Sequence, residues 1–170
     1  MTGTRQLTGS QEKLMDGIGR STMRVALYQP EIAGNVGAVL RTAACLGVDV
    51  DLIEPMGFLW DDKRVARAGM DYIDHVAVTR HADWHAFERA ATARIVLLTT
   101  KGATRLHEAA FAADDILLFG REGAGVPDEV HARADTRVVI PMRPQVRSLN
   151  LSVSVGIVLA EALRQTDGWP

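Results

Sequence analysis

The chain has 170 residues, of which 47% are hydrophobic and 24% are charged, and this balance is typical of one soluble globular domain rather than two. The formal net charge is -2 and the isoelectric point is near 6.2, so bulk charge neither supports nor excludes a nucleic-acid partner, which would need a local basic surface. The single cysteine, Cys45, excludes an intrachain disulfide and a four-cysteine metal site, and a reducing, cytoplasmic setting is the default expectation.

The first 22 residues differ in pattern from the rest of the chain. They lack the apolar stretch of a signal peptide and lack helical periodicity, which predicts a flexible extension or an added leader over residues 1–22. Residues 23–170 carry the pattern of a single folded domain. The longest uncharged run, residues 148–160, is shorter than the roughly 20 apolar residues that a membrane-spanning helix needs, so no membrane span is expected.

From residue 23 onward, short runs rich in Val, Ile and Leu alternate with amphipathic stretches. The predicted strands, in chain order, are RVALYQ, VDVDLIE, DHVAVT, RIVLLTT, DILLFG and RVVIPM, several of them apolar throughout, as strands buried on both faces should be. Helices are predicted after residues that suit helix starts, namely Asn35, Asp61, Asp83, Pro127 and Asn150. This alternation predicts an α/β fold with a parallel sheet covered by helices on both faces.

The loops after the predicted strands are the expected ligand-binding region, because parallel sheets bind ligands beyond the carboxyl ends of their strands. These loops contain QPEIAGNVGAVLRTA, EPMGFLWDDKR, TTKGATR, FGREGAGVP and IPMRPQVRSLN, and all five are rich in Gly, Pro, Arg and small polar residues. We therefore expect one site at this edge of the sheet.

Arg41 follows Asn35 by six residues in the first predicted helix, between its apolar stripe and its exposed face. Two interpretations are open at this point. Arg41 is a surface arginine whose aliphatic stem covers apolar surface, or it contacts an anion or hydroxyl at the mouth of a cleft.

The FGREGAGVP loop has glycines at positions that let backbone amides approach a ligand. Gly120, Gly123 and Gly125 have the spacing G-x-x-G-x-G, which is neither a dinucleotide fingerprint nor a P-loop. Glu122 in this loop is either a turn residue held by amides or a ligand contact, and the spacing alone does not decide between them.

The histidines and the cysteine give no pattern typical of a metal site or a thiol nucleophile. His75, His81 and His85 lack the H-E-x-x-H arrangement and an evident third ligand, so we expect solvated helix histidines and no metal. Cys45 lies among small apolar residues and is expected to be a buried hydrophobic residue.

Basic residues are concentrated in the loops, where they form either a face that binds a polyanion or the ordinary polar surface of loops. They are Arg41, Lys63, Arg64, Arg67, Lys101, Arg105, Arg121, Arg143 and Arg147.

Taken together, NVGAVLRTA, FGREGAGVP and IPM followed by RSLNLSVSVGI resemble, in this order, the three motifs of the SPOUT RNA methyltransferases. The resemblance covers nearly all of residues 23–165. Within that superfamily, LYQPEIAGNVGAVLRTA, IEPMGFLWDDKRVARAGMDY, LTTKG and RSLNLS are similar to the tRNA 2'-O-methyltransferases that act on the anticodon wobble nucleotide. The implied activity is 2'-O-methylation of the ribose of a cytidine or modified uridine at that nucleotide.

The resemblance implies a C-terminal trefoil knot, which the residue pattern itself would have argued against because knots are very rare. It also implies that S-adenosylmethionine binds between the strand ends and the segment before the last helix. The cofactor-binding residues implied in this way are Leu98, Thr99, Gly120, Ile140, Met142, Ser148, Leu149 and Asn150.

The catalytic residues implied by the resemblance are Arg41, Asn35 and Glu122. A guanidinium is a poor literal base, so we expect Arg41 to stabilise a developing alkoxide, with Asn35 and Glu122 orienting the site and a phosphate or water accepting the proton. The family places one subunit's arginine near the partner's cofactor, which implies a homodimer that binds the tRNA anticodon stem-loop, with no metal and no membrane partner.

Two departures from the family pattern affect the RNA contacts. QPEIAGN replaces the commoner EPEIPPN, and Arg121 and Ala124 stand where relatives often have a proline or serine and a basic residue. Two alternatives remain open at this stage: methylation of another tRNA or rRNA position, and a non-catalytic RNA-binding domain.

Overall fold

The computed structural model describes residues 22–61 and 72–170. The predicted extension, apart from Thr22, lies outside the described residues, as do Lys63, Arg64, Arg67 and the helix predicted after Asp61. Thr22 itself donates a hydrogen bond to the carbonyl of Ala113 at 2.9 Å, so the folded contacts include the last residue of the predicted extension.

Seven strands form one sheet within the described residues, and every paired neighbour runs parallel. They are β1 (Arg24–Tyr28), β2 (Asp49–Ile53), β3 (Val78–His81), β4 (Ile95–Leu98), β5 (Thr104–Arg105), β6 (Ile116–Phe119) and β7 (Thr136–Val139). The order across the sheet is β3-β2-β1-β6-β4-β7-β5. All six predicted strands are present, and the parallel sheet predicted from the sequence is confirmed.

Four α-helices and two short 3-10 helices accompany these strands in the described part of the chain. The α-helices are α1 (Ala33–Leu46), α2 (Trp84–Ala90), α3 (Asp128–Arg133) and α4 (Leu151–Gln165), and the 3-10 helices are Tyr72–His75 and Leu106–Glu108. Among residues 22–61 and 72–170, no helix has the length and apolar character needed to cross a bilayer.

Side chains along each strand point alternately to the two faces of the sheet, and each face has its own hydrophobic core. Val25 and Leu27 of β1 belong to the cluster that contains the buried residues of α1 and α4, whereas Ala26 and Tyr28 belong to the cluster that contains those of α2 and α3. Successive strand side chains point to opposite faces, so each apolar strand supplies both cores. The helices therefore cover both faces, as predicted.

Two of the predicted helix caps are present. The Asp83 carboxylate accepts from the backbone N–H of Ala86 at 2.7 Å, and the Asn150 side chain accepts from those of Ser152 and Val153 at 2.9 and 3.4 Å. Pro127 directly precedes α3, in agreement with its predicted place at a helix start.

The predicted start of the first helix is wrong by three residues. Helix α1 begins at Ala33, and Ile32 occupies the cap position without a side-chain hydrogen bond. Asn35 therefore lies inside the first turn of α1, where its side chain is available for contacts other than capping.

The interpretations of His81 and Cys45 are wrong. His81 is a buried residue at the end of β3, and its Nε2 lies 2.7 Å from an oxygen of Asp51. The Asp51 carboxylate also accepts two hydrogen bonds from Arg24, of 2.6 and 2.8 Å. The hydrogen bond to Asp51 raises the pKa of Arg24 above its usual value. Cys45 is exposed, whereas His85 is exposed on α2 as predicted.

Candidate functional site

A cleft of about 650 Å³ lies at the carboxyl ends of β4, β6 and β7, beside the start of α4. The structure brings to its wall all eight residues that the family resemblance implied for a cofactor. They are Leu98, Thr99, Gly120, Ile140, Met142, Ser148, Leu149 and Asn150. Asn35 and Glu122 line the same cleft, so ten of the eleven predicted site residues meet in one place.

Parallel pairing explains why these distant segments converge. Strand β4 lies between β6 and β7, and the three strands end together at one edge of the sheet. The backbone N–H of Thr99 donates to the carbonyl of Val138 at 2.9 Å, which carries the β4–β7 pairing to the cleft. The residues after each strand therefore form one continuous wall.

The loop after β6 turns back on itself so tightly that two of its glycines are required. The backbones of Arg121 and Gly125 exchange two hydrogen bonds of 3.0 Å, and Gly125 has a φ of +66°. A Cβ at Gly120 would lie 2.7 Å from the carbonyl carbon of Gly125. The wall of the cleft here is consequently bare backbone, which brings peptide N–H and C=O groups close to any ligand.

A chain of side-chain hydrogen bonds joins this loop to α1 and α4. The Asn35 amide donates to an oxygen of Glu122 at 3.1 Å, and the Asn35 carbonyl oxygen accepts from the Asn150 amide at 2.9 Å. The side-chain oxygen of Asn150 caps α4. Because Asn35 is only 9% exposed, these partners fix the positions of three segments around the cleft.

Glu31, in the loop after β1, does not line the cleft but contacts two residues that do, and the sequence did not indicate this role. Its backbone N–H donates to the second oxygen of Glu122 at 2.9 Å, while its own carboxylate accepts from the backbone N–H of Gly123 at 2.8 Å. The loops after β1 and β6 are thus joined by two hydrogen bonds, in each of which a carboxylate of one loop accepts from a backbone N–H of the other. In the sequence, Glu31 is marked only by its place before Ile32, the cap residue of α1. That position does not identify Gly123 or Glu122 as its partner.

Arg121 differs from the other loop cations because it is turned into the protein. Its Nη2 donates to the side-chain oxygen of Gln29, its guanidinium carbon lies 5.6 Å from the ring centre of Tyr28, and its Nε is buried without a hydrogen-bond partner. Gln29 has a φ of +46°, which is unusual for a residue with a side chain. Arg121 is therefore part of the cleft wall rather than of a basic surface.

The remaining described loop cations are exposed, and some of them border the cleft. Lys101 and Arg147 line it, and Arg105 and Arg143 are exposed on neighbouring segments. These residues provide positive charge at the rim, where a polyanion could bind.

Arg41 does not reach the cleft of its own chain, contrary to the expected position at the cleft mouth. It is exposed on α1, and its guanidinium carbon lies 5.0 Å from the ring centre of Tyr72. Six helical residues correspond to a rotation of about 600°, so Arg41 points about 120° away from the direction of Asn35. Ten of the predicted site residues therefore line the cleft, and Arg41 lies apart from them.

Within the described ranges, no group of three or more His, Cys, Asp or Glu side chains is placed to hold a metal ion. Carboxylates, amides, backbone groups and rim cations are the polar chemistry that the cleft offers.

Comparison with known proteins gives consistent relationships. A model of the SpoU rRNA Methylase family matches residues 22–160. Over 144 residues the chain is 54% identical to a tRNA (cytidine(34)-2'-O)-methyltransferase of Beijerinckia indica subsp. indica, which covers 83% of this chain and 90% of the relative.

Solved structures are similar to the same part of the chain. One from work on the 2-OH methylation of C/U34 on tRNA has a TM-score of 0.80 and 46% identity, covering 84% of this chain and 95% of the other. An AdoMet-bound rRNA methyltransferase from Sinorhizobium meliloti has a TM-score of 0.76 and 28% identity, covering 86% of this chain and 57% of the other.

Proposed function

Since the chain belongs to the SpoU rRNA Methylase family, we propose that it catalyses S-adenosylmethionine-dependent 2'-O-methylation of the ribose at tRNA nucleotide 34, the anticodon wobble nucleotide. The observation that carries this proposal is the 54% identity to a tRNA (cytidine(34)-2'-O)-methyltransferase over most of both chains. The TM-score of 0.80 to a structure concerned with C/U34 favours this nucleotide over other tRNA or rRNA positions.

The cleft suits S-adenosylmethionine in size and in chemistry. Its volume of about 650 Å³ falls within the roughly 300–1,000 Å³ of small-molecule sites. Leu98, Ile140 and Leu149 offer apolar surface for an adenine ring, and the Gly120 loop offers backbone groups for polar atoms. Leu149 is 40% exposed, which is the expected state of an apolar residue that a ligand covers. When bound, the cofactor supplies a methyl group already activated by a sulfonium.

The chain's own residues orient the ribose and stabilise charge. The Asn35, Glu122 and Asn150 network holds the strand-end loop and the start of α4 in fixed relation, which preorganises the cleft. The Arg41 guanidinium stabilises the developing 2'-alkoxide, while a neighbouring phosphate or water accepts the hydroxyl proton. None of these steps requires a metal.

A homodimer would bring Arg41 to a cleft, because the Arg41 of one chain lies away from the cleft of that chain. A further observation that supports a dimer is the exposed apolar surface beside the cleft. Val153 and Ile157 of α4 are 49% and 40% exposed, and their four-residue spacing places them on one side of the helix. We infer that a second subunit covers this surface, and that Lys101 and Arg147 at the rim contact phosphates of the anticodon stem-loop.

The C-terminal trefoil knot remains a prediction of the family resemblance. The cytoplasmic location remains the expectation drawn from the single cysteine.

The test uses the purified full chain, S-adenosylmethionine and unmodified tRNA, with nucleoside mass mapping of the product. We expect one 2'-O-methyl group at nucleotide 34. A tRNA with a 2'-deoxynucleotide at that place is the matched control, and it should accept no methyl group. Methylation at another tRNA or rRNA nucleotide would overturn the position, and RNA binding without methyl transfer would favour a non-catalytic domain.

A further inference from the structure

Two carboxylates near the loop after β6 lack a charged partner: Glu122 lines the cleft, and Glu31 is exposed behind Gly123 of the cleft wall. Glu122 accepts from the backbone N–H of Glu31 and from the amide of Asn35, and Glu31 accepts from the backbone N–H of Gly123. All of these donors are neutral. Among the described residues, neither carboxylate forms an ion pair.

The cations of the same cleft leave this negative charge uncompensated at close range. Lys101 and Arg147 are exposed at the rim, and the guanidinium of Arg121 is directed at Gln29 and the ring of Tyr28. Hydrogen bonds from neutral donors spread the charge of a carboxylate without cancelling it. The glutamate side of the cleft therefore favours a positive ligand over a neutral one.

The two forms of the cofactor differ in one such charge. S-adenosylmethionine carries a positive sulfonium, whereas the product S-adenosylhomocysteine has a neutral thioether and the same amino, carboxyl and adenosine groups. We propose that Glu31 and Glu122 act as a charge filter that raises the affinity for S-adenosylmethionine relative to S-adenosylhomocysteine and so promotes product release. The inference rests on the proposed function, because it requires that this cleft binds the cofactor.

The charge filter predicts effects on binding rather than on the chemical step. Methyl transfer breaks the carbon–sulfur bond, forms a carbon–oxygen bond to the ribose and releases the hydroxyl proton, so the sulfur becomes neutral. Negative charge nearby stabilises the reactant at least as much as the transition state. Removing the charge of Glu31 should therefore weaken S-adenosylmethionine binding and strengthen product inhibition at a fixed cofactor concentration.

Glu31→Gln removes the negative charge of the side chain and keeps its hydrogen bond to the loop after β6. The carboxylate of Glu31 accepts one recorded hydrogen bond, from Gly123, and a glutamine oxygen can accept the same bond. The same change at Glu122 is less clean, because that carboxylate accepts from two donors, one on each oxygen. Asp114→Asn is the matched control, since Asp114 is an exposed carboxylate at the opposite, amino end of β6.

The experiment is titration calorimetry of S-adenosylmethionine and S-adenosylhomocysteine with wild type, Glu31→Gln and Asp114→Asn. In Glu31→Gln we expect the affinity for S-adenosylmethionine to fall about three- to tenfold, with the affinity for the product unchanged within about twofold. Retained product binding also shows that the variant is folded. Raising the salt concentration from about 0.05 to about 0.5 M should lower the ratio of the S-adenosylmethionine affinity to the S-adenosylhomocysteine affinity. This decrease should be larger in wild type than in Glu31→Gln.

Several outcomes would overturn the charge filter. Equal losses for both ligands in Glu31→Gln would mean that Glu31 only holds the loop in place. If Glu31→Gln had the same ratio of the two affinities as wild type, or if Asp114→Asn changed that ratio equally, the charge of Glu31 would not explain the selectivity. If wild type bound neither ligand, the proposed cofactor would fail together with the filter, a result distinct from the other two.

Discussion

The buried amide of Asn35 allows a test of the hydrogen-bond network by exchanging donor and acceptor. Asn35→Asp keeps an oxygen that can accept from Asn150 but replaces the amide that donates to Glu122 with a second carboxylate. The variant loses one hydrogen bond to a charged acceptor and gains a like-charge contact at the same place. The new carboxyl group would hold a proton more readily than usual, so the destabilisation should grow as the pH rises from about 4 to about 7.

The size of the effect follows from the burial of the site. Asn35 is 9% exposed, and a hydrogen bond to a charged group contributes about 1.5–3 kcal/mol when its loss leaves a partner unsatisfied. Residual solvent at the half-buried Glu122 reduces the repulsion. We expect Asn35→Asp to lower the free energy of unfolding by about 2–4 kcal/mol near neutral pH, and the melting temperature by roughly 5–12 °C.

The double variant Asn35→Asp with Glu122→Gln should recover most of this loss. A glutamine at position 122 can donate to the new carboxylate and still accept from the backbone N–H of Glu31. The bond between positions 35 and 122 is then reversed, and the other bonds keep their direction. Urea unfolding followed by circular dichroism measures the three variants against wild type. A loss below about 0.5 kcal/mol in Asn35→Asp, or a double variant no more stable than the sum of the single changes, would refute the network.

Three other predictions concern catalysis, assembly and pH. Arg41→Ala should keep S-adenosylmethionine binding but lose on the order of a hundredfold in single-turnover methyl transfer, with little rescue by Arg41→Lys, and a near-wild-type rate would remove Arg41 from the mechanism. Light scattering should give about twice the 18.5 kDa of one chain, and 18.5 kDa at micromolar concentration would contradict the dimer. Hydrogen bonds from Arg164 and Gln165 lower the pKa of Glu161 from 4.5 to about 2, so their stabilisation is present above pH 4.5 and is lost as the pH falls toward 2. In calorimetry, Glu161→Gln should therefore show a shallower fall of melting temperature across that range, and a slope equal to that of wild type would contradict it.

Local composition was sufficient to predict most of the fold but not its exceptions. Strands β1, β4, β6 and β7 were predictable because each overlaps a mainly apolar run, whereas β3 was predicted to start at residue 74, four residues before its start at Val78. Strand β5 was missed since Thr104–Arg105 has two residues, neither apolar, and is held only by pairing with β7. The start of α1 was misplaced because Ile32 is not a capping residue, so the first capping residue type, Asn35, was taken as the start.

The cleft was predictable for a geometric reason, and its hydrogen bonds were not. All strands of a parallel sheet end at the same edge, which predicted a site there, but the residues after β4, β6 and β7 meet because these three strands are neighbours, and the family resemblance identified them. The pairing of Asn35 with Glu122 and Asn150 joins residues 87 and 115 positions apart. Such partners depend on where loops cross in space, and neither spacing nor composition encodes that. The contact between Glu31 and Gly123 was missed for the same reason.

Arg41 shows a different limit, because its position relative to the cleft depends on a second chain. Helix geometry directs it away from its own cleft, so an Arg41 that acts in catalysis must act on the cleft of a partner. This arrangement predicts complementation between two inactive variants. Arg41→Ala keeps the cleft and lacks the arginine, whereas Ala124→Trp, at an exposed position that lines the cleft, blocks the cleft and keeps the arginine.

Random exchange of equal amounts of Arg41→Ala and Ala124→Trp subunits makes half of the dimers mixed, and each mixed dimer contains one open cleft facing one intact arginine. The mixture should therefore recover about a quarter of the wild-type methyl-transfer activity, although each parent is nearly inactive. If Arg41 acted on the cleft of its own chain, no mixed dimer would contain a complete site and the mixture would stay inactive. Calorimetry must show that Ala124→Trp no longer binds S-adenosylmethionine, so that recovered activity can come only from a cleft and an arginine on different chains.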